Sequence, residues 1–135
     1  MRSAQPLAVL LMAAAAACGG ASDPISGPAA PTLLVVQSQI FTPRCAIPGC
    51  HVGSTAPFGM NLQNASSSSA SLINVPSGEM PGMTRVAPGD SVNSYLYWKV
   101  SGNPNIGGDP MPLTGGPLSN GELQLIASWI DGGAS

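Results

Sequence analysis

The sequence predicts a small, mainly α-helical domain in which short helices are joined by long loops. Two observations favour this class. Apolar residues recur at helical spacing in separate segments, and the stretches between them are rich in the 17 glycines and 14 prolines of the 135-residue chain. Loops at 52–64, 75–88 and 103–117 have no pattern of their own, and loops of this length in a compact domain are usually functional.

Residues 1–17 are predicted to be a signal peptide rather than part of the fold. Arg2 gives a positive start, and the apolar run at 7–17 is too short to span a membrane. The sequence AAACG at 15–19 resembles the cleavage box of bacterial lipoproteins, with alanine in place of the usual leucine three residues before the cysteine. That resemblance implies that Cys18 is acylated and forms a lipid anchor. An ordinary secretory signal, the alternative, would leave Cys18 without a role.

Residues 18–31 are predicted to be a flexible linker, and residues 32–135 the folded domain. The linker is small, polar and interrupted by proline, so it cannot bury enough apolar surface to fold. The expected localisation is the cell envelope, lipid-anchored and facing the periplasm. Gly19 rather than aspartate at the second mature position favours the outer membrane. Export also places the domain in an oxidising compartment, where disulfides persist.

The charge of the chain excludes one class of partner. Only 7% of the residues are charged, and removal of residues 1–17 leaves three basic and six acidic residues, for a net charge of −3. No basic cluster is present that would neutralise phosphates, so nucleic acid is not an expected partner. No serine lies in a G-x-S-x-G motif and the acidic residues form no catalytic pair, so an enzyme is not expected.

Two helices are predicted in the first half of the domain. Residues 33–42 place apolar side chains along one helical side, and Pro43 is expected to end this helix. Val35 and Val36 are β-branched, so a strand is an alternative prediction at this position. A weaker, serine-rich helix is expected at 65–74.

Two further helices are predicted in the second half. Residues 91–100 follow Asp90, which is well placed to cap the helix start, and Gly102 is expected to end the helix. The last helix begins with the capping box SNGE at 119–122, in which serine and glutamate satisfy each other's backbone donors. Its apolar stripe comprises Leu123, Ile126, Trp129 and Ile130.

The sequence CAIPGCH at 45–51 holds two of the three cysteines and the only histidine. The haem-attachment motif C-x-x-C-H bonds two thiols to the vinyl groups and places the histidine on the iron, but here four residues separate the cysteines. The residues Ile47-Pro48-Gly49-Cys50 suit a tight turn that shortens the gap between the sulfurs. The same turn would bring Cys45 and Cys50 within disulfide range, so the stretch alone leaves both interpretations open.

A methionine sixty residues downstream favours the haem interpretation. The proline after Met111 holds it in an extended loop, and the glycines at 107–108 would let the backbone approach a flat ring. A thioether is a soft ligand suited to iron or copper, so Met111 is the predicted distal ligand. Met80 repeats the Met-Pro pattern and is its closest rival, whereas Met60 and Met83 are expected to fill gaps in the core.

The order of these motifs along the chain resembles the small class-I-like cytochromes c exported by bacteria, particularly the domains found in planctomycetes and myxobacteria. The resemblance covers about residues 37–134. It rests on five pieces and on their order along the chain. These are the cysteine–histidine stretch at 45–51, GMNL at 59–62, RVAPGD at 85–90, Met111-Pro112 and WIDGGA at 129–134.

That resemblance implies a haem c held among the loops by a first and a last helix that pack together. Cys45 and Cys50 would carry the haem thioethers, His51 would be the proximal iron ligand and Met111 the distal one. Arg85 is expected to be solvated or to pair with a haem propionate. The implied function is electron transfer with redox partner proteins of the envelope. The wider cysteine spacing leaves two alternatives open: a haemless binding or structural module stapled by a Cys45–Cys50 disulfide, and a mononuclear metal site.

Overall fold

The computed structural model describes residues 28–135, so the predicted signal peptide, Cys18 and most of the linker lie outside the described residues. The α-helices within this range are α1 (Leu33–Val36), α2 (Ala65–Leu72), α3 (Tyr95–Ser101) and α4 (Asn120–Asp131). A π-helix, Gln37–Cys45, continues α1, and a short 3-10 turn covers Pro57–Gly59. Pairing between extended residues is limited, across 28–135, to three isolated β-bridges. No helix in this range is both long and apolar enough to cross a membrane.

The predicted mainly helical class and the packing of the first helix against the last are both confirmed. The π-helix that extends α1 presents Phe41 to Trp129 of α4, and the two rings meet edge to face with their centroids 6.1 Å apart. The Leu33 N–H also donates to the Ser135 carbonyl at 2.7 Å. The core lies between these elements, with Val36, Ile40, Phe41, Leu62, Leu72, Ile126, Trp129 and Ile130 all at most 2% exposed.

The prediction that Pro43 ends the first helix is wrong. Pro43 lies inside the π-helix, whose last turn is closed by a 2.7 Å hydrogen bond from the Ala46 N–H to the Phe41 carbonyl. In an α-helix the proline ring would clash with the carbonyl one turn earlier. The wider π turn moves that carbonyl away from the ring, and the helix therefore continues to Cys45.

The second predicted helix is confirmed in type and is two residues shorter than expected. Asn64 caps α2, because its side-chain oxygen accepts a 2.9 Å hydrogen bond from the Ser67 N–H. The helix ends where Ile73 becomes extended and forms an isolated bridge with Val86. The C-terminal end of α2 is therefore determined by pairing with Val86, a residue distant in sequence.

The third helix begins four residues later than predicted. Asp90 does accept a backbone hydrogen bond, from the Asn93 N–H at 3.2 Å, but it closes a turn that precedes the helix. Ser94 occupies the N-cap of α3, and its hydroxyl donates to the Asp90 carbonyl at 2.8 Å. Gly102 ends the helix as predicted, in the left-handed conformation with φ of 72°.

The capping box of the last helix is confirmed in both directions. The Ser119 Oγ accepts from the Glu122 N–H at 3.3 Å, and a Glu122 carboxylate oxygen accepts from the Ser119 N–H at 2.7 Å. These bonds hold the pKa of Glu122 below its usual value, because they favour the ionised carboxylate. The helix begins at Asn120 and buries Ile126, Trp129 and Ile130.

Candidate functional site

Cys45, Cys50, His51 and Met111 all line one open cavity. The cavity has a volume of about 180 Å³, and about 1070 Å³ of unfilled space lies in and above it when its open mouth is included. Its walls come from the π-helix, from α3 and from the loops that flank them, and they are mostly apolar, including Phe58, Met60, Leu62, Leu96, Val100 and Leu113. The fold thus brings together residues from the two halves of the sequence.

The predicted turn between the two cysteines is present. The Cys50 N–H donates to the Ile47 carbonyl at 2.9 Å, and Gly49 takes a φ of 83°, which a side chain would disfavour. The His51 N–H then donates back to the Cys45 carbonyl at 3.3 Å. Cys45 and Cys50 are both half-buried free thiols in this arrangement.

The hydrogen bond made by the His51 ring fixes its tautomer. Nδ1 lies 3.1 Å from the Met60 carbonyl oxygen, and because a carbonyl only accepts, Nδ1 must carry the proton. In the neutral ring the lone pair is then on Nε2, which has no hydrogen-bond partner among residues 28–135. This is the arrangement that metal-ligating histidines use, with the second nitrogen oriented by a backbone carbonyl.

Met111 is held at the cavity wall by its own backbone. Its N–H donates to the Lys99 carbonyl at 2.8 Å, which ties the loop after α3 back to the end of that helix. The side chain is half-buried and packs against the edge of the core. Met111 therefore lines the same cavity as His51.

A partly buried ion pair anchors the loop that carries Met111, and the sequence patterns did not predict it. The Lys99 Nζ lies 3.0 Å from a Glu79 carboxylate oxygen and donates to the Gly107 carbonyl at 2.8 Å. The Tyr95 hydroxyl donates to Glu79 and accepts from the Gly107 N–H at 3.0 Å. Glu79 comes from a distant loop. The only sign of this contact in the local sequence is therefore that Tyr95 and Lys99 lie four residues apart on one helix face.

The rival methionines differ in position. Met60 also lines the cavity, and its carbonyl is the acceptor for the His51 ring. Met80 and Met83 are half-buried but do not line the cavity. The geometry therefore favours Met111 over Met80 as the distal candidate, and it adds Met60 as a second sulfur near the histidine.

Arg85 is buried, so the expectation that it is solvated is wrong. It is 6% exposed, and its guanidinium donates to the Ser71 carbonyl at 2.8 Å and to the Phe58 carbonyl at 2.6 Å. No carboxylate lies within ion-pair distance of it in residues 28–135. Burial lowers the pKa of Arg85, since a low-dielectric surrounding disfavours its charge. The cavity wall therefore contains a cation whose hydrogen-bond partners, within the described part of the chain, are neutral carbonyls.

Arg44 joins the cysteine end of the π-helix to α4. Its guanidinium lies 2.9 Å from a Glu122 carboxylate oxygen and also donates to three successive carbonyls, those of residues 115–117. Glu122 is the glutamate of the capping box, so one carboxylate serves both the helix start and the cavity wall. The contact fixes the residue next to Cys45.

The Cys45 thiol is expected to be slow to ionise in the folded, haem-free chain. Burial raises its pKa from 9.0 to about 11, with nearby Arg44 opposing the shift. At pH 8 alkylation by iodoacetamide, which needs the thiolate, should therefore be about 100-fold slower at Cys45 in native protein than in urea-unfolded protein. Peptide mass spectrometry of timed samples measures this ratio.

The same pKa difference predicts how stability depends on pH. Below pH 9.0 the Cys45 thiol is protonated in both states, so its contribution is constant. Between 9.0 and about 11 the unfolded chain ionises first, so the free energy of unfolding should fall as pH rises through this window. A Cys45→Ala variant should lose that dependence, and an equal alkylation rate in native and unfolded protein would contradict the expectation.

No protein-family model, curated protein or solved structure matches this chain. Residues 28–135 contain no cluster of three or more His, Cys, Asp or Glu side chains placed to hold a metal ion. Cys45, Cys50 and His51 therefore line the cavity without forming such a cluster, and the cavity also contains the thioether of Met111.

Proposed function

We propose that this protein is a monohaem c-type electron carrier of the cell envelope, anchored to a membrane by a lipid on Cys18. One observation carries the proposal. Two thiols, a histidine with its Nε2 lone pair available and a methionine sulfur line a single apolar cavity. Because Met111 is distant in sequence from the stretch at 45–51, its convergence with Cys45, Cys50 and His51 is a property of the fold.

The residues of the cavity fit a covalently attached haem. Cys45 and Cys50 would bond its vinyl groups, and His51 and Met111 would supply the axial ligands. The apolar walls would enclose the porphyrin, and Arg85, which has no carboxylate partner among residues 28–135, would offset the charge of a propionate. The bound iron would supply one-electron redox chemistry.

The ligand set favours a carrier over a catalyst. With both His51 and Met111 as ligands, the iron would have no open coordination position for a substrate, and methionine ligation would raise the reduction potential. The ion pair between Lys99 and Glu79 supports this role, because it holds the Met111 loop in one position. The partners would be redox proteins of the envelope, and the lipid would keep the domain at a membrane surface, with the outer membrane favoured.

Haem attachment is the direct test. The chain is expressed together with a haem-maturation system, separated on a denaturing gel and stained for haem peroxidase activity. The wild type should give a stained band and a mass increased by one haem, because thioether bonds survive denaturation. A Cys45→Ser/Cys50→Ser variant should give no stained band.

The haemless alternative gives a different result in the same experiment. A chain stapled by a Cys45–Cys50 disulfide would show no stain, no added mass and no alkylation of either cysteine until a reductant is added. That combination would reject the carrier and establish the stapled module in its place.

A further inference from the structure

The mouth of the cavity is uncharged, and this property bears on the partner. Of the residues that line the cavity, six are exposed, and we call them the rim: Gly49, Pro57, Phe58, Gly78, Leu113 and Thr114. None carries a charge. Phe58 and Leu113 are 61% and 65% exposed, and they are two of the four large apolar side chains that residues 28–135 expose.

The charged residues of the cavity wall cannot replace the missing charge at the rim. Arg44 is paired with Glu122 at 2.9 Å, and Lys99 with Glu79 at 3.0 Å. Arg85 is buried, and its guanidinium donates to the Phe58 carbonyl. A partner that approaches the mouth therefore meets a rim without charged side chains, and the charges of the cavity wall behind the rim are paired or buried.

Phe58 is held at the rim in an unusual backbone conformation. Its φ is 54°, a left-handed conformation that is strained for a non-glycine residue, and such strain concentrates at functional sites. The ring lies over Gly78, where an added Cβ would approach its Cδ1 to 2.9 Å. The Arg85 guanidinium holds the Phe58 carbonyl from below at 2.6 Å. An exposed aromatic ring fixed by two such contacts is preorganised for contact with another molecule.

We infer that the rim is the docking surface for a redox partner protein that presents an uncharged, apolar patch around its own cofactor. This inference rests on the proposed function, and it adds that docking depends on apolar contact rather than on charge steering. The size of the rim indicates a transient encounter: a stable interface uses about 20–30 residues from each side, whereas electron-transfer encounters are smaller. The six residues of the rim fall short of what a lasting dimer with a second copy needs.

The test uses gold electrodes coated with alkanethiol monolayers as defined probes of surface chemistry. Three coatings, ending in methyl, carboxylate and ammonium groups, are compared by cyclic voltammetry of the haem-loaded protein. The methyl surface should give the highest electroactive coverage. This coverage should change less than about twofold between 10 mM and 500 mM salt, since apolar contact is not screened.

Two rim variants and two matched controls test whether the protein contacts the methyl surface through the rim. Phe58→Gly removes the ring and suits the positive φ, so it should fold, and Leu113→Ser removes the second apolar side chain. Each variant should lower the electroactive coverage on the methyl surface, and the two substitutions together should lower it by about tenfold. Leu34→Ser and Val92→Ser change side chains that are 70% and 67% exposed and do not line the cavity, so they should match the wild type.

Three results would overturn the inference. These are a preference for a charged monolayer, a loss in the Leu34 or Val92 variants equal to that in the rim variants, or a dimer in light scattering that the rim variants dissociate. The last would make a second copy the occupant. If the proposed function is wrong, the wild type carries no haem and gives no current on any coating. That result would reject the rim inference together with the proposed function.

Discussion

Replacing Met111 by alanine in the haem-loaded protein is expected to lower the reduction potential by on the order of 100 mV and to remove the sulfur–iron charge-transfer band. The thioether stabilises ferrous iron, and the other thioether on the cavity belongs to Met60, whose backbone carbonyl contacts the His51 ring. Haem should stay attached, because Cys45, Cys50 and His51 are unchanged. A spectroelectrochemical titration measures the potential, and the haem stain of the denaturing gel measures attachment.

Met80→Ala is the matched control for this experiment. Met80 shares the Met-Pro sequence of Met111 but does not line the cavity, so its removal should leave the band and the potential as in the wild type. If Met80→Ala removed the band and Met111→Ala did not, the distal assignment would belong to Met80. Loss of the band in Met60→Ala alone would assign it to the methionine beside His51.

Replacing Trp129 by alanine is expected to lower the free energy of unfolding by about 3–5 kcal/mol, out of about 5–15 for a domain of this size. Trp129 is fully buried, contacts Phe41 edge to face and donates from its indole nitrogen to the Ser135 carbonyl at 3.2 Å. Alanine would leave a cavity where α4 packs on the first helix. Urea titration followed by circular dichroism gives the change.

Trp98→Ala controls for residue type in that measurement. Trp98 is only half-buried, although its indole nitrogen also donates to a carbonyl, that of Val92 at 2.6 Å. Its removal should cost about 1–1.5 kcal/mol, since one hydrogen bond is lost with little core packing. Equal losses in the two variants would contradict the view that the contact between the first and last helices dominates stability.

The features that the sequence predicted correctly are those encoded within a few residues. The capping box of Ser119 and Glu122, the stop at Gly102 and the turn before Cys50 each depend on neighbours along the chain. Local backbone chemistry determines such features in any context, so a pattern suffices to find them.

The features that the sequence missed depend on partners far away in the chain. The burial of Arg85 depends on carbonyls at Phe58 and Ser71, and Glu79 reaches Lys99 from another loop. No spacing rule encodes such pairs, because the fold must first bring the loops together. The four predicted ligands Cys45, Cys50, His51 and Met111 do line one cavity, and their role as ligands stays a prediction. They could be selected from the sequence because thiol, imidazole and thioether groups are chemically distinctive wherever they occur.

Because of the π-helix, the position of Cys45 depends on how many residues this segment contains more than on which side chains they carry. An α-helix turns by about 100° per residue, so one surplus residue in a turn rotates everything after it by that angle relative to the core-facing stripe. The wide turns of Gln37–Cys45 contain such a surplus, and the thiol follows directly at their end. Insertions and deletions in this segment therefore threaten the site more than substitutions do. The loss of one exposed residue such as Ser38 would remove this surplus and turn the cysteine away from the histidine.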